Sequence, residues 1–150
     1  MTRMVVLDSG PLGLLTSPPG KKGDAAGCAQ WLASLLAGGA RVMVPEIADY
    51  EVRRELLRAK KANSVARLNA LGAATEYLPL TTAAMRRAAD LWAEVRQRGK
   101  PTAGDKAIDG DVILAAQCLS LGVSTVVVAT TNIGHLSRFV AAENWEKITP

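Results

Sequence analysis

Apolar residues fall along this chain in two rhythms: short β-branched runs, and longer stretches in which apolar positions recur at helical spacing. VVLDSGPLGLL opens with a buried strand that ends at Asp8 and breaks into a turn at Gly10-Pro11. TSPPGKKGD reads as a loop, after which Asp24 caps a helix through Trp31, Leu32, Leu35 and Leu36 that stops at Gly38 and Gly39. RVMVP is a second strand. Beyond Pro45, EIADYEVRRELLRAKKA predicts a helix with Ala48, Val52, Leu56 and Ala59 on one face and Glu51 beside that stripe. Residues 63–71 form a further short helix, and EYLPL is an edge strand because Pro79 cannot donate to a ladder. In TTAAMRRAADLWAEVRQRG, Met85, Ala89, Trp92 and Val95 keep helical spacing until Gly99 and Pro101 end it. A helix from Asp111 to Leu121 follows, with Asp109 as its natural N-cap and Gly122 as its close. STVVVAT is the cleanest strand, and NWEKI adds a last one.

Strands alternating with helices predict one α/β domain over residues 1–150, a three-layer α/β/α arrangement around a parallel sheet. With 49% apolar and 21% charged residues, the chain has the composition of a globular protein and not of a disordered one. No run approaches the ~18 apolar residues of a membrane span, and MTRMVVLDSG lacks the apolar region of a signal peptide, so a cytoplasmic address without membrane contact is expected. Cys28 and Cys118 lie in no CxxC pair, as expected of reduced, buried thiols. A net charge of +4 suits a polyanionic partner without naming one.

In open α/β sheets, sites form beyond the carboxyl ends of the strands. The residues there are acidic or amide: Asp8 after the first strand, Glu46, Asp49 and Glu51 after the second, and Thr130, Thr131 and Asn132 after STVVVA. Asp109 and Asp111 open the helix that leads into that strand. Glu46 and Asp49 read as first-turn acids on a solvated face, whereas an aspartate ending a buried strand is costly unless a cation or several donors satisfy it. Two carboxylates ~4 Å apart repel by about 4 kcal/mol at an effective dielectric near 20, so a cluster of three calls for a compensating cation. His135 is the single histidine and has no zinc-ligating partner. An all-oxygen site for Mg²⁺ or Mn²⁺ is therefore favoured, where such an ion can activate water in a phosphate hydrolysis.

VVLDSGPL, the glutamate helix IADYEVRREL, DVILAAQCLSLG and VVVATTN together resemble the PIN domain family, and are similar to the VapC-type toxins of bacterial toxin–antitoxin pairs. The resemblance implies a parallel sheet of about five strands, a Mg²⁺- or Mn²⁺-dependent ribonuclease activity on RNA, a cognate antitoxin and frequent homodimers. It places Asp8, Glu51 and Asp111 as acidic metal-site positions with Thr130 and Asn132 beside them. Asn132 stands where the family often has a fourth acid, and Asp109 is the residue expected to replace it, with Gly110 granting the backbone freedom for both aspartates to face the metal.

His135 either touches a phosphate or fixes its loop by hydrogen bonding. Arg53, Arg54, Arg58, Lys60 and Lys61, with Lys21 and Lys22, are either a phosphate-binding rim or a solvated face. Trp31 and Trp92 occupy core positions suited to packing or a dimer seam. Ser9 could orient Asp8, but has no adjacent base that would make it a nucleophile. The alternative function is a catalytically inert PIN-like module that binds RNA or a protein partner. A phosphatase using Asp8 as nucleophile expects an aspartate at position 10, which is glycine.

Overall fold

The computed structural model describes residues 3–18, 23–98, 105–123 and 125–150, with 105–108 described by backbone alone. Lys21, Lys22, Gly99, Pro101, Ser124 and the middle of the TSPPGKKGD loop lie outside the described residues. Along the chain, β1 (Met4–Leu7), α1 (Ser9–Leu15) and α2 (Asp24–Ala37) precede β2 (Arg41–Pro45), α3 (Glu46–Arg58) and α4 (Ala62–Ala74). Then come β3 (Glu76–Leu78), α5 (Thr82–Gln97), α6 (Asp105–Leu119), β4 (Val126–Thr130), α7 (Ile133–Leu136), β5 (Ala142–Asn144) and a 3₁₀ turn at Trp145–Lys147. The five strands form one parallel sheet in the order β3-β2-β1-β4-β5, with Val5 opposite Val42 and Val127 at its centre.

Because strand side chains alternate between faces, β1 feeds both helical layers. Val5 and Leu7 pack with Leu12, Leu35, Ala48, Val52 and Leu68 of α1 to α4. Val6 turns the other way and joins Met43, Val128, Leu114 and Cys118 beneath α6. A strand covered on both faces needs no polar alternation, which explains the continuous apolar runs. The expected three-layer α/β/α architecture is present. On the second face, α5 packs mainly on α6, through Ala84, Ala88, Leu91 and Val95 against Val112, Ala115 and Ala116.

Several local expectations are corrected. Gly10 and Pro11 do not make a turn: Asp8 caps α1, and Pro11 sits in its first turn, where its missing N–H has no helical partner to lose. At α2, Gly23 is the N-cap and Asp24 is in the first turn. In α5 the buried stripe is offset by one residue from Met85, Ala89 and Trp92, because Ala84 and Ala88 let the helix approach Ala115 and Ala116; Met85 and Trp92 remain 44% and 37% exposed. The last strand is Ala142–Asn144 and not NWEKI, whose Trp145 instead packs on Trp31, 5.6 Å between ring centres. α6 starts at Asp105, so Asp109 is not its N-cap. Cys28 and Cys118 are free and buried, and burial pushes both thiols up to about 12. Among the described residues, no helix is long and apolar enough to cross a membrane.

Candidate metal centre and its flanks

The sheet's central strands end side by side, and the backbone N–H of Asp8 continues the ladder to the Ala129 carbonyl at 2.9 Å. Asp8 then serves two elements at once. Its Oδ1 accepts from the Ser9 N–H at 2.8 Å, which starts α1, and its Oδ2 accepts from the Thr130 hydroxyl at 2.8 Å. Thr130, fully buried, in turn accepts from the Asn132 N–H at 2.9 Å. Two donors thus fix the Asp8 carboxylate in orientation.

Glu51 and Asp111 are held differently. What acts on their carboxyls is burial and charge, and both are raised above the ordinary carboxylate range. For Glu51 the causes are burial, then Asp8, with Asp111 adding and Arg54 opposing. For Asp111 they are burial, then Asp8, with His135 and Arg138 opposing. Three carboxylates from β1, α3 and α6 therefore bear on one another at the carboxyl edge of the sheet.

α6 explains how Glu51 gets so close. Successive helix residues are rotated by about 100°, so 109, 110 and 111 face three different neighbours. Asp111 faces Asp8 and the α7 side. Gly110 faces α3: a Cβ built there would lie 2.8 Å from Glu51 Oε2, inside contact distance. Its φ is ordinary for a helix, so the glycine is required by close approach and not by backbone freedom. Asp109 is exposed and lines a groove of about 330 Å³ with Met85, Ala89 and Trp92 on the α5 side. About 200° around the helix from Asp111, it does not share the carboxylate cluster. The expectation that both aspartates face one metal is corrected on this point.

Asn132 is exposed at the start of α7, tied to the site through its backbone bond to Thr130. Glu46 and Asp49 are not on a solvated face. Glu46 Oε1 accepts from the Leu80 N–H at 2.7 Å, and Asp49, 7% exposed, accepts from Arg53 at 2.8 Å and from the Tyr77 hydroxyl at 2.7 Å. Of the candidate basic rim, Arg53 is thereby bound to Asp49 and Arg58 to Glu55, while Arg54 lies over the Tyr50 ring, 5.0 Å from its centre.

Arg138, one turn beyond His135 and 3.2 Å from its Nδ1, carried no signal in a sequence read for acids. Neither did Gln117, which is buried; its Oε1 accepts from the Ile47 N–H at 3.3 Å and its Nε2 donates to the Leu78 carbonyl at 2.9 Å. Gln117 thereby ties α6 to the first turn of α3, the helix that carries Glu51. Its only trace in the sequence is one polar residue inside an apolar run.

The PIN domain profile matches residues 20–138. The chain belongs to the PIN domain family. The match starts after Asp8, whose place in the site rests on the hydrogen bonds above. Among solved structures, a chain of VapBC2 from Rickettsia felis bound to a promoter DNA fragment is similar, with 19% identity, TM-score 0.72, and coverage of 95% of this chain and 98% of that one. A chain of VapBC-1 from nontypeable Haemophilus influenzae follows at 16% identity and TM-score 0.70, covering 96% and 99%. One from DNA-bound VapBC of Salmonella typhimurium gives 20% and 0.61, covering 97% and 99%. At these identities the likeness is one of fold. No curated protein matches the chain.

The donor chemistry suits a hard divalent cation: oxygen ligands only, three acids that repel one another, two of them raised. Among the described residues, no three His, Cys, Asp or Glu side chains stand ready to hold one ion. The fit is thus one of donor type and not of a finished cage.

Proposed function

We propose that this PIN domain is a metal-dependent endoribonuclease and the toxin of a toxin–antitoxin pair. The observation that carries the proposal is the mutual burden of Asp8, Glu51 and Asp111, which the fold draws together from three elements, with burial and like charge outweighing the nearby cations at Glu51 and Asp111. Groups raised by burial and like charge in this way are more often functional than structural. Asp8, Glu51 and Asp111 would hold Mg²⁺ or Mn²⁺, and the bound ion would supply positive charge to a phosphodiester and lower the pKa of a water. Asp8 keeps a fixed orientation through Ser9 and Thr130. Asn132 is placed beside it as a neutral donor and acceptor. Arg138, beside His135, brings positive charge to the Asp111 side, where a phosphate would sit.

The similar solved chains come from VapBC assemblies, two of them with DNA, which supports an antitoxin as partner. A homodimer acting on RNA in the cytoplasm completes the proposal.

Mn²⁺ titration followed by thermal unfolding tests it. Mn²⁺ binds only the native site, so saturation at about 100 times Kd adds roughly 2.7 kcal/mol to wild type. Asp8→Asn keeps an acceptor for Ser9 and so keeps the α1 cap, yet loses most of that gain and RNA cleavage with it. Equal Mn²⁺ stabilisation of both proteins removes Asp8 from the metal site. The inert-module alternative draws on the unfinished cage and on Asn132; it expects RNA binding with neither a Mn²⁺ shift nor cleavage.

A further inference from the structure

Only some of the cations around the acidic edge face it. Arg53 is spent on Asp49, Arg58 on Glu55, Arg41 on Glu76 at the far end of β2, and Arg67 on the Thr16 carbonyl and Ser64. Two guanidiniums bear on the site itself, and they do so from different sides. α3 follows β2 and α7 follows β4, the two neighbours of β1 in the sheet, so Arg54, which acts on Glu51, and Arg138, which with His135 acts on Asp111, flank Asp8 from its two sides.

Each belongs to a pair. On α3, Arg54 lies over the ring of Tyr50, the residue before Glu51, and that ring is 55% exposed. A large aromatic left in water next to a half-buried carboxylate gains nothing from packing. Propped by a cation over its ring, it is held in one orientation for a second flat partner. Just beyond α7, the Arg138 guanidinium stands 3.2 Å from Nδ1 of His135, which α7 carries. A guanidinium beside an imidazole has the chemistry of a phosphate holder.

We propose that Tyr50 with Arg54 and His135 with Arg138 are two RNA-holding arms on opposite flanks of the acidic site. The backbone then crosses from α3 to α7, with an unpaired base stacked on Tyr50 and phosphates taken by Arg54 and Arg138. The inference rests on the ribonuclease proposal for its substrate, but not on cleavage for its test. A base in a duplex cannot offer its face to Tyr50, so the arms select single-stranded segments.

The test uses the full chain and a fluorescein-labelled 2′-O-methyl RNA, about 12 nucleotides long, within the span of single-strand grooves. Binding is measured in EDTA, because withholding the divalent ion, and not the 2′-O-methyl group, is what stops attack by a metal-activated water. Tyr50→Ala weakens binding about 10-fold with an unchanged salt dependence, because stacking releases no counterions, and Tyr50→Trp restores affinity. Arg54→Ala and Arg138→Ala each weaken it about 10-fold and each flatten the log Kd against log salt slope by roughly 0.7, the share of one phosphate contact on a single strand. Arg41→Gln removes the same charge at the other end of the sheet and serves as the control.

If Arg54→Ala and Arg138→Ala bind no worse than Arg41→Gln while wild type cleaves an ordinary RNA, the arms are wrong and the ribonuclease proposal stands. If wild type binds but never cleaves with Mn²⁺, and the variants weaken as stated, the arms stand and the hydrolytic reading falls. Variants that lose affinity for a co-expressed antitoxin but keep full affinity for RNA assign the surface to a protein partner and overturn the inference.

Discussion

Asp49 and Glu51 sit two residues apart on α3, and the fold treats them in opposite ways. Asp49 is the more buried of the two, yet it is satisfied: a guanidinium and a phenol hydroxyl bond it, and it pins α3 to β3. Glu51 is only half-buried, and it is loaded by desolvation and by two other carboxylates. Burial by itself therefore does not distinguish the acid proposed for the site from a structural one. What distinguishes Glu51 is that burial and neighbouring carboxylates raise it, the pattern more often found at functional acids.

The contrast is sharpest in paired substitutions. Glu51→Gln should lower RNA cleavage at least about 100-fold, roughly 2.7 kcal/mol of barrier, while leaving the metal-free protein as stable as wild type or more so. Asp49→Ala should do the reverse. It strands Arg53 and the Tyr77 hydroxyl and costs about 2 kcal/mol in a urea melt, with cleavage per folded molecule within about 3-fold of wild type. If Asp49→Ala keeps its stability and loses cleavage, the two residues have exchanged roles and the comparison is broken.

A smaller effect follows from pH. Glu51 and Asp111 have native pKa values raised above the unfolded ones, so the native state keeps their protons to a higher pH. Their contribution to stability is full below the ordinary carboxylate range and is lost as pH rises through the raised values. With a chelator present, the wild-type melting temperature should fall over that window more than that of a Glu51→Gln, Asp111→Asn double variant. Identical profiles would show that the carboxylates do not burden the fold. The smallest expected effect is that of Asp109→Asn, with cleavage within about 2-fold and stability within roughly 0.5 kcal/mol, because the side chain is exposed in the α5 groove. A 10-fold loss of cleavage would return Asp109 to the site.

Much of the fold was legible because its signals are local. β-branched runs, glycine stops and the acid after each strand each report their own neighbourhood, and Asp8, Glu51 and Asp111 came from the sequence by that route. What failed was whatever depends on rotation or on an element's true start. With α6 begun at Asp111, Asp109 looked like its cap; begun at Asp105, the helix turns Asp109 toward α5. Two equally spaced stripes compete in α5, and only the small residues opposite, Ala115 and Ala116, choose between them. Glu46 and Asp49 looked solvated because their partners lie about thirty residues away, Tyr77 on β3 and Leu80 just beyond it. Arg138 is invisible until the turn after β4 brings its charge to bear on Asp111.

Gly110 carries a consequence for the genetics of such a protein. Any substitution there sets a Cβ 2.8 Å from Glu51 Oε2, and that oxygen, at the tip of a flexible side chain, can swing aside without disturbing the core. Alanine at this helical position also favours the helix by about 1 kcal/mol, so the displaced form folds well. If the chain is the toxin proposed above, a cell has an escape from it besides truncation or misfolding. Among survivors that still make abundant full-length protein, changes of Gly110 should recur beside those of the acids: one methyl group would disarm the molecule while leaving its surface intact for whatever partner recognises it.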